Sequence, residues 1–131
     1  MELDNLERLQ QIDTLNMLAE IDGLPDQLMS AYQMGLTQET LEVSPFFGAS
    51  KVSCVVIAGL GGSAIGADLL SAYVADICPV PVIVHRDYGL PSFAKGDQTL
   101  VICSSHSGDT EETLDSFDAA RKNGCRTVVV C

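Results

Sequence analysis

Four short apolar runs constrain the fold of this chain most strongly. They alternate with segments in which apolar residues recur at helical spacing. Continuous apolar runs are typical of strands that are buried on both faces of a parallel sheet. Strands that alternate with helices therefore predict an α/β fold with a doubly wound parallel sheet and right-handed crossovers. The predicted strands are residues 52–58, 81–85, 99–103 and 126–130.

Two helices are predicted between these strands. Ser63 is placed to cap the first helix, which runs to about Val74. The second helix carries a capping box, with Asp109 as N-cap and Glu112 three residues later, and ends before Gly124. We expect the core-facing side chains to be Ile65, Leu69, Leu70 and Tyr73 in the first helix and Leu114, Phe117 and Ala120 in the second.

Residues 1–50 are predicted to form a helical arm and linker, separate from a sheet domain at residues 51–131. Asp13 can cap a short helix that ends at Gly23. Pro25, in the first turn, can start another helix that ends near Gly35. The last residues read as the middle of a strand, so we expect the sheet domain to be an incomplete first domain, truncated after its fourth strand.

Composition excludes several classes of function. The 131 residues carry a net charge of −11, which argues against binding to nucleic acid or to anionic membrane surfaces. No apolar run is long enough to span a membrane, and the first residues do not form a signal peptide. The five cysteines lie in or beside apolar runs, which favours reduced, buried thiols in a cytoplasmic protein over disulfides or a zinc site. We expect no cofactor and no metal.

Two loops follow predicted strands with residues suited to an anion. The loop from Ser105 to Thr110 is rich in hydroxyls and precedes a helix, whose free amides and dipole favour negative charge. The same loop alone is equally consistent with an ordinary turn that caps a helix. A second loop, with Gly62 and Ser63, follows the first strand. If the two strands are neighbours, both helix starts converge on one point, which favours a phosphate site.

A dinucleotide site is the competing interpretation. Gly59, Gly61 and Ala64 fit a loose GxGxxA fingerprint, and Asp87 lies just past the second strand, where a ribose-binding acid is expected. Against this interpretation, the chain has a second, hydroxyl-rich loop in addition to the glycine loop, which is more than a pyrophosphate needs. Asp87 is also consistent with a surface turn residue. We therefore favour the phosphate site.

The motifs resemble those of a known family. Gly61-Gly62-Ser63 and the segment from Ser105 to Thr113 are similar to the sugar isomerase (SIS) domain pattern, whose second loop reads S-x-S-G-x-T-x-E-T. The segment 86–91, Arg-Asp-Tyr-Gly-Leu-Pro, and the helical arm resemble the bifunctional phosphoglucose/phosphomannose isomerase branch. The resemblance covers roughly residues 12–131. It departs at His106, where tyrosine is frequent, and at Asp109, where asparagine is frequent.

The resemblance implies a flavodoxin-like three-layer fold and a phosphorylated hexose as ligand. Gly62 and Ser63 would contact the substrate, and Ser105, Ser107 and Thr110 would bind its phosphate. We expect the His106 ring to pack on the far side of the loop and the Asp109 carboxylate to point outward, since it would repel phosphate.

In such isomerases a proton moves between adjacent carbons through an enediol, which requires a base. The resemblance places the base and its helpers beyond residue 131, so no catalytic residue is expected here and the isolated chain should be inactive. It also implies a homodimer in the full-length form. A non-enzymatic SIS sensor is an alternative, although such proteins carry a basic DNA-binding segment, whereas Arg8 is the only basic residue before Lys51.

Overall fold

The computed structural model describes residues 5–37 and 51–131. The chain falls into two compact units, residues 1–43 and 44–131. The predicted linker, at residues 44–48 within the segment 1–50, lies outside the described residues.

The described residues of the first unit form three helices, α1 (Leu6–Ile12), α2 (Met17–Asp22) and α3 (Leu24–Thr37). The carboxylate of Asp13 accepts the amides of Met17 at 2.6 Å and Leu18 at 2.8 Å, so its predicted capping role is confirmed. Gly23 ends α2, and the second residue of α3 is Pro25, also as predicted. Two details differ: α1 was not predicted, and α3 continues two residues past Gly35 because no helix breaker follows there.

From residue 51 onward, where the structure describes it, the second unit forms a four-stranded parallel sheet with two helices. Its strand order is β2-β1-β3-β4, and all three pairings are parallel. This order is the beginning of the flavodoxin-like order 2-1-3-4-5, so the predicted doubly wound α/β fold is confirmed. The elements are β1 (Cys54–Ala58), α4 (Gly61–Val74), β2 (Val82–His85), β3 (Thr99–Ser104), α5 (Glu111–Lys122) and β4 (Arg126–Val130).

The direction of winding reverses at β1. The chain passes from β1 to β2 on one side, and β3 then returns to the other side of β1. Because crossovers of this kind are right-handed, the reversal places α4 and α5 on opposite faces of the sheet. The register pairs Ala58 with both His85 and Cys103. Three strands therefore end level with one another, at the position where ligands bind in such sheets.

The core lies between the two central strands and α5. Its fully buried members include Val56, Val101 and Ala120. Burial raises the pKa of the Cys103 thiol to about 11, so this side chain stays neutral and packs as a small apolar group. All five cysteines are free. Cys131 is exposed, so the prediction of buried thiols holds for Cys103 but not for this last residue.

The predicted inner face of α4 is wrong. The buried residues of this helix are Ala64 and Ala67, whereas the four large side chains that we expected to face the core are between 48% and 78% exposed. Alanines let the helix axis approach the sheet closely. Because α4 is apolar around most of its circumference, a helical period alone does not distinguish its two faces. The four exposed side chains are Ile65, Leu69, Leu70 and Tyr73.

The predicted inner face of α5 is partly wrong. Ala120 is buried and Phe117 is half-buried, as expected, but Leu114 is 49% exposed. The buried positions in the first two turns belong instead to Thr113 and Ser116. Ser116 donates hydrogen bonds to backbone carbonyls of the connection between β2 and β3. A buried hydroxyl with that role replaces an aliphatic residue on this face.

The Thr113→Val variant is expected to be more stable than the wild type by about 1 kcal/mol. Thr113 is buried, and its Oγ1 has no hydrogen-bond partner among the described residues. Valine has the same shape and removes the buried hydroxyl. Thr99→Val is the matched control, since Thr99 is equally buried but its Oγ1 donates to the Lys95 carbonyl at 3.1 Å. Thermal unfolding should give opposite shifts, and a loss in both variants would contradict the prediction.

A search for spans found no helix in the described ranges with both the length and the apolar character needed to cross a membrane.

Candidate functional site

The two loops predicted to converge do lie side by side. Their strands, β1 and β3, are neighbours along their whole length. Gly59, the first residue after β1, is buried against the end of β3, and a Cβ atom built on it would lie 2.8 Å from the carbonyl oxygen of Ser104. That separation is shorter than real Cβ contacts allow, so only glycine fits. The close approach fixes the glycine loop against the start of the hydroxyl loop.

Three hydroxyls of the second loop converge on one another. The Oγ of Ser105 lies 2.9 Å from the Oγ1 of Thr110 and 3.3 Å from the Oγ of Ser107. The Oγ of Ser107 lies 3.4 Å from the Oγ1 of Thr110. We call these three side chains the hydroxyl cluster. Each hydroxyl can donate or accept, so the cluster can turn its protons toward an anion. The side chains of Ser105 and Ser107 therefore point toward each other.

The backbone holds the hydroxyl cluster in place. The amide of Ser105 donates to the Val130 carbonyl at 3.0 Å, which ties the loop to β4. The amide of Gly108 donates to the Oγ of Ser105 at 3.1 Å, and Gly108 has a φ of 78°. Glycine tolerates that left-handed conformation without strain. The cluster is therefore part of a folded turn.

The side-chain caps predicted for α4 and α5 are both wrong. The N-cap of α5 is Thr110 rather than Asp109, and the N-cap of α4 is Leu60, with Ser63 two residues inside the helix. Neither N-cap makes a side-chain capping bond. In α5 the reason is local: the Oγ of Ser107 already accepts the Asp109 amide, at 3.4 Å, and the helix starts later. The first-turn amides of both helices are thus not taken by N-cap side chains, as an anion-binding helix end requires.

The two remaining predicted site residues lie on the neighbouring helix start. Gly62 and Ser63 are in the first turn of α4, directly after Gly61, whose φ is 57°. Gly62 is exposed and Ser63 is half-buried. The structure thus brings Ser105, Ser107 and Thr110 into mutual contact and places Gly62 and Ser63 at the carboxyl end of the adjacent strand.

Residues 86–91 follow β2 and have a structural role that was not predicted from the sequence; we call them the 86–91 connection. At its start, Arg86 forms an ion pair with Asp68 of α4 and donates to the carbonyl of Ala64 at 3.5 Å. Further along, the amide of Gly89 donates to the carboxylate of Asp115 of α5 at 2.6 Å. The connection therefore contacts the N-terminal halves of both helices. In the sequence, these contacts could have been inferred from Asp68 and Asp115, which lie at exposed helix positions.

Tyr88 links the same connection to the residue beside Thr110. Its hydroxyl donates to a carboxylate oxygen of Glu111 at 3.2 Å. The nearby charge of Glu112 raises the pKa of Tyr88, and the hydrogen bond to Glu111 raises it further. Near neutral pH the tyrosine is therefore a neutral donor.

Three other residues singled out by sequence have simple roles. The carboxylate of Asp87 accepts the amide of Tyr88 at 2.8 Å, as expected of a turn residue. Asp109 is exposed, in agreement with an outward carboxylate. His106 is also exposed, so the expectation of a packed ring is wrong; it lies at the tip of the turn, where no core is within reach.

Comparison with known proteins identifies the family. The chain is 43% identical over 114 residues to a bifunctional phosphoglucose/phosphomannose isomerase from Caldicellulosiruptor bescii, an alignment of 87% of this chain and 32% of that protein. Proteins of the same name from Thermoplasma acidophilum and Aquifex aeolicus are 40% identical over 80 residues and 38% identical over 77 residues. Those alignments cover 61% and 58% of this chain, respectively, and 24% of each relative.

No protein-family profile matches the chain, and no solved structure matches it. The chain spans about a third or less of the length of the curated relatives it matches. The alignment with the Caldicellulosiruptor bescii protein nevertheless covers most of the chain. By sequence, the chain belongs to the family of bifunctional phosphoglucose/phosphomannose isomerases and corresponds to their N-terminal part.

Proposed function

We propose that this chain is the phosphosugar-binding part of an aldose–ketose isomerase. The enzyme would interconvert glucose 6-phosphate, and mannose 6-phosphate, with fructose 6-phosphate. The observation that carries the proposal is the hydroxyl cluster of Ser105, Ser107 and Thr110, which lies beside the start of α5 and the end of β1. The names of the relatives support the choice of a hexose phosphate.

The hydroxyl cluster would hold the phosphate. A phosphate at this position would accept hydrogen bonds from the three hydroxyls and from first-turn amides of α5, which also bring the positive end of the helix dipole. These local donors would offset the net charge of −11 carried by the whole chain. Gly62 and Ser63, at the start of α4, would contact the sugar.

The chemistry requires groups that we do not assign to this chain. Moving a proton between the first two sugar carbons through an enediol needs a base near those carbons. Three acidic residues lie beside the cluster in sequence. Asp109 is exposed, Glu111 accepts the hydroxyl of Tyr88, and Glu111 and Glu112 both lie in the first turn of α5. We infer that the base lies in the part of the relatives that this chain does not span, and that the isolated chain binds without isomerising.

Three further features belong to the same proposal. Residues 51–131 would form a first SIS domain, preceded by an arm at residues 1–50. The full-length protein would be a homodimer. Five free thiols, of which Cys103 is buried in the core, favour the reducing environment of the cytoplasm.

Calorimetric titration of the 131-residue chain tests the proposed ligand. Glucose 6-phosphate, mannose 6-phosphate and fructose 6-phosphate should bind, whereas unphosphorylated glucose should not. Inorganic phosphate should compete with all three sugars. Binding of NAD without binding of a sugar phosphate would instead favour the dinucleotide alternative and overturn the proposal. An assay of the same sample should show no isomerisation.

The Gly62→Ala variant is expected to fold as well as the wild type but to bind glucose 6-phosphate about tenfold or more weakly. An added Cβ would meet no protein atom within 4 Å, so a loss of affinity would report a ligand that approaches this backbone. Gly66→Ala, one helical turn later and equally open, is the matched control and should keep wild-type affinity. Equal affinities for both variants and the wild type would show that Gly62 does not contact the ligand.

A further inference from the structure

The hydrogen bond between Tyr88 and Glu111 joins two parts of the site. Glu111 directly follows Thr110 of the hydroxyl cluster, and Tyr88 is in the 86–91 connection. The backbone on which Tyr88 stands is fixed by two contacts to α5. The amide of Gly89 donates to Asp115 at 2.6 Å, and the Oγ of Ser116 donates to the Gly89 carbonyl at 2.8 Å. The hydroxyl is therefore presented to Glu111 from a braced turn.

The carboxylate of Glu111 is a problem for an anion site. It lies in the first turn of α5, where its charge favours the helix itself. A phosphate held at the adjacent Thr110 would be repelled by any carboxylate that turned toward it. Glu111 is exposed, and an exposed glutamate has several rotamers of similar free energy. Another contact must therefore select one rotamer of Glu111.

We propose that Tyr88 is a positioning residue that holds the Glu111 carboxylate on the side of the 86–91 connection, away from an anion bound at the hydroxyl cluster. This role rests on the proposed function. The tyrosine touches neither the substrate nor the reacting atoms in this role; it acts only through Glu111. The raised pKa of Tyr88 agrees with a hydroxyl that stays protonated and donates. Without the Tyr88 hydroxyl, the Glu111 carboxylate would be free to turn toward the anion.

The test is a double-mutant cycle on the 131-residue chain, with glucose 6-phosphate and inorganic phosphate as probes. Tyr88→Phe should weaken both ligands by about three- to tenfold at low ionic strength, and the loss should shrink as salt is added. Glu111→Gln should bind at least as well as the wild type. In the Glu111→Gln background, Tyr88→Phe should have no further effect. Tyr73→Phe, at a tyrosine that is 78% exposed, is the control.

Two outcomes would overturn the role. If Tyr88→Phe costs as much affinity with Glu111→Gln as without it, the tyrosine acts by bracing the turn and not by holding the charge. If the Tyr88→Phe variant binds both probes with wild-type affinity, the Glu111 carboxylate does not need the tyrosine to position it.

A separate readout distinguishes these failures from failure of the proposed function. In a tyrosine ¹³C NMR titration, the pKa of Tyr88 should fall in the Glu111→Gln variant, because the hydrogen-bonding carboxylate is gone. A wild-type chain that binds neither probe would refute the proposed function and this role with it, while the titration would still report the hydrogen bond.

Discussion

The Gly59→Ala variant is expected to be less stable than the wild type by about 1–3 kcal/mol, with a clearly lower midpoint of thermal unfolding. The added methyl would lie 2.8 Å from the carbonyl oxygen of Ser104. Both groups are backbone or attached to backbone, so neither can rotate away. Relief requires β1 and β3 to separate at their carboxyl ends, where the proposed site is. Circular dichroism during heating measures the loss, and titration with glucose 6-phosphate should show a parallel loss of binding.

Gly66→Ala is the control for this substitution. Gly66 lies inside α4, and an added Cβ would meet no atom within 4 Å. Since alanine favours a helix more than glycine does, this variant should gain about 0.5–1 kcal/mol. The two variants make the same chemical change and should shift stability in opposite directions. A Gly59→Ala variant as stable as the wild type would show that the two loops are not in close contact.

The Ser105→Ala variant is expected to bind glucose 6-phosphate roughly ten- to a hundredfold more weakly, because a hydrogen bond to a charged group contributes about 1.5–3 kcal/mol. Ser105 is the buried member of the hydroxyl cluster, with a side chain that contacts both Ser107 and Thr110. Its Oγ also accepts the amide of Gly108. The substitution would thus remove one ligand donor and loosen the other two. Calorimetry of the variant gives the change directly.

Ser104→Ala controls for the loss of a hydroxyl at this end of β3. Ser104 immediately precedes Ser105, is half-buried and is the last residue of the strand. Its side chain points to the opposite face of the strand from that of its neighbour, and we expect its replacement to leave affinity unchanged. Equal losses in both variants would argue that any disturbance of the strand end abolishes binding. In that case Ser105 would have no specific role.

The strands followed from local pattern, whereas their order did not. Runs such as residues 99–103 are apolar at nearly every position, which is diagnostic when helices separate them. The buried faces of the helices were harder to predict. In α4, alanines and large aliphatic residues are both apolar, so only the depth of packing against the sheet decides which is buried, and this favoured Ala64 and Ala67. The depth of packing depends on the tertiary fold, so the period of apolar residues along a helix does not reveal it.

Some features of the candidate site were likewise predictable from local sequence, and others were not. The hydroxyl-rich loop from Ser105 to Thr110 and the helix after it were predictable, because both depend on neighbouring residues alone. The capping box predicted at Asp109 is absent: the amide of Asp109, which Glu112 was expected to accept, donates to the Oγ of Ser107, and the N-cap is Thr110. The contacts of the 86–91 connection with the two helices join residues 18 to 29 positions apart. Nothing in local sequence encodes such pairings, so a motif used only to recognise a family proved to have a structural role.

The pairing of β1 with β3 also has a consequence for folding. The amide of Ser53 bonds to the carbonyl of Gln98, 45 residues later, with the whole of β2 and its connection between them. Contacts of that range form late and slowly, because loop closure costs entropy before any contact compensates it. The two halves of the proposed phosphate site are therefore assembled only when the sheet closes. A bound sugar phosphate would slow hydrogen exchange at amides of both central strands together, since it would stabilise the closed sheet as one cooperative unit.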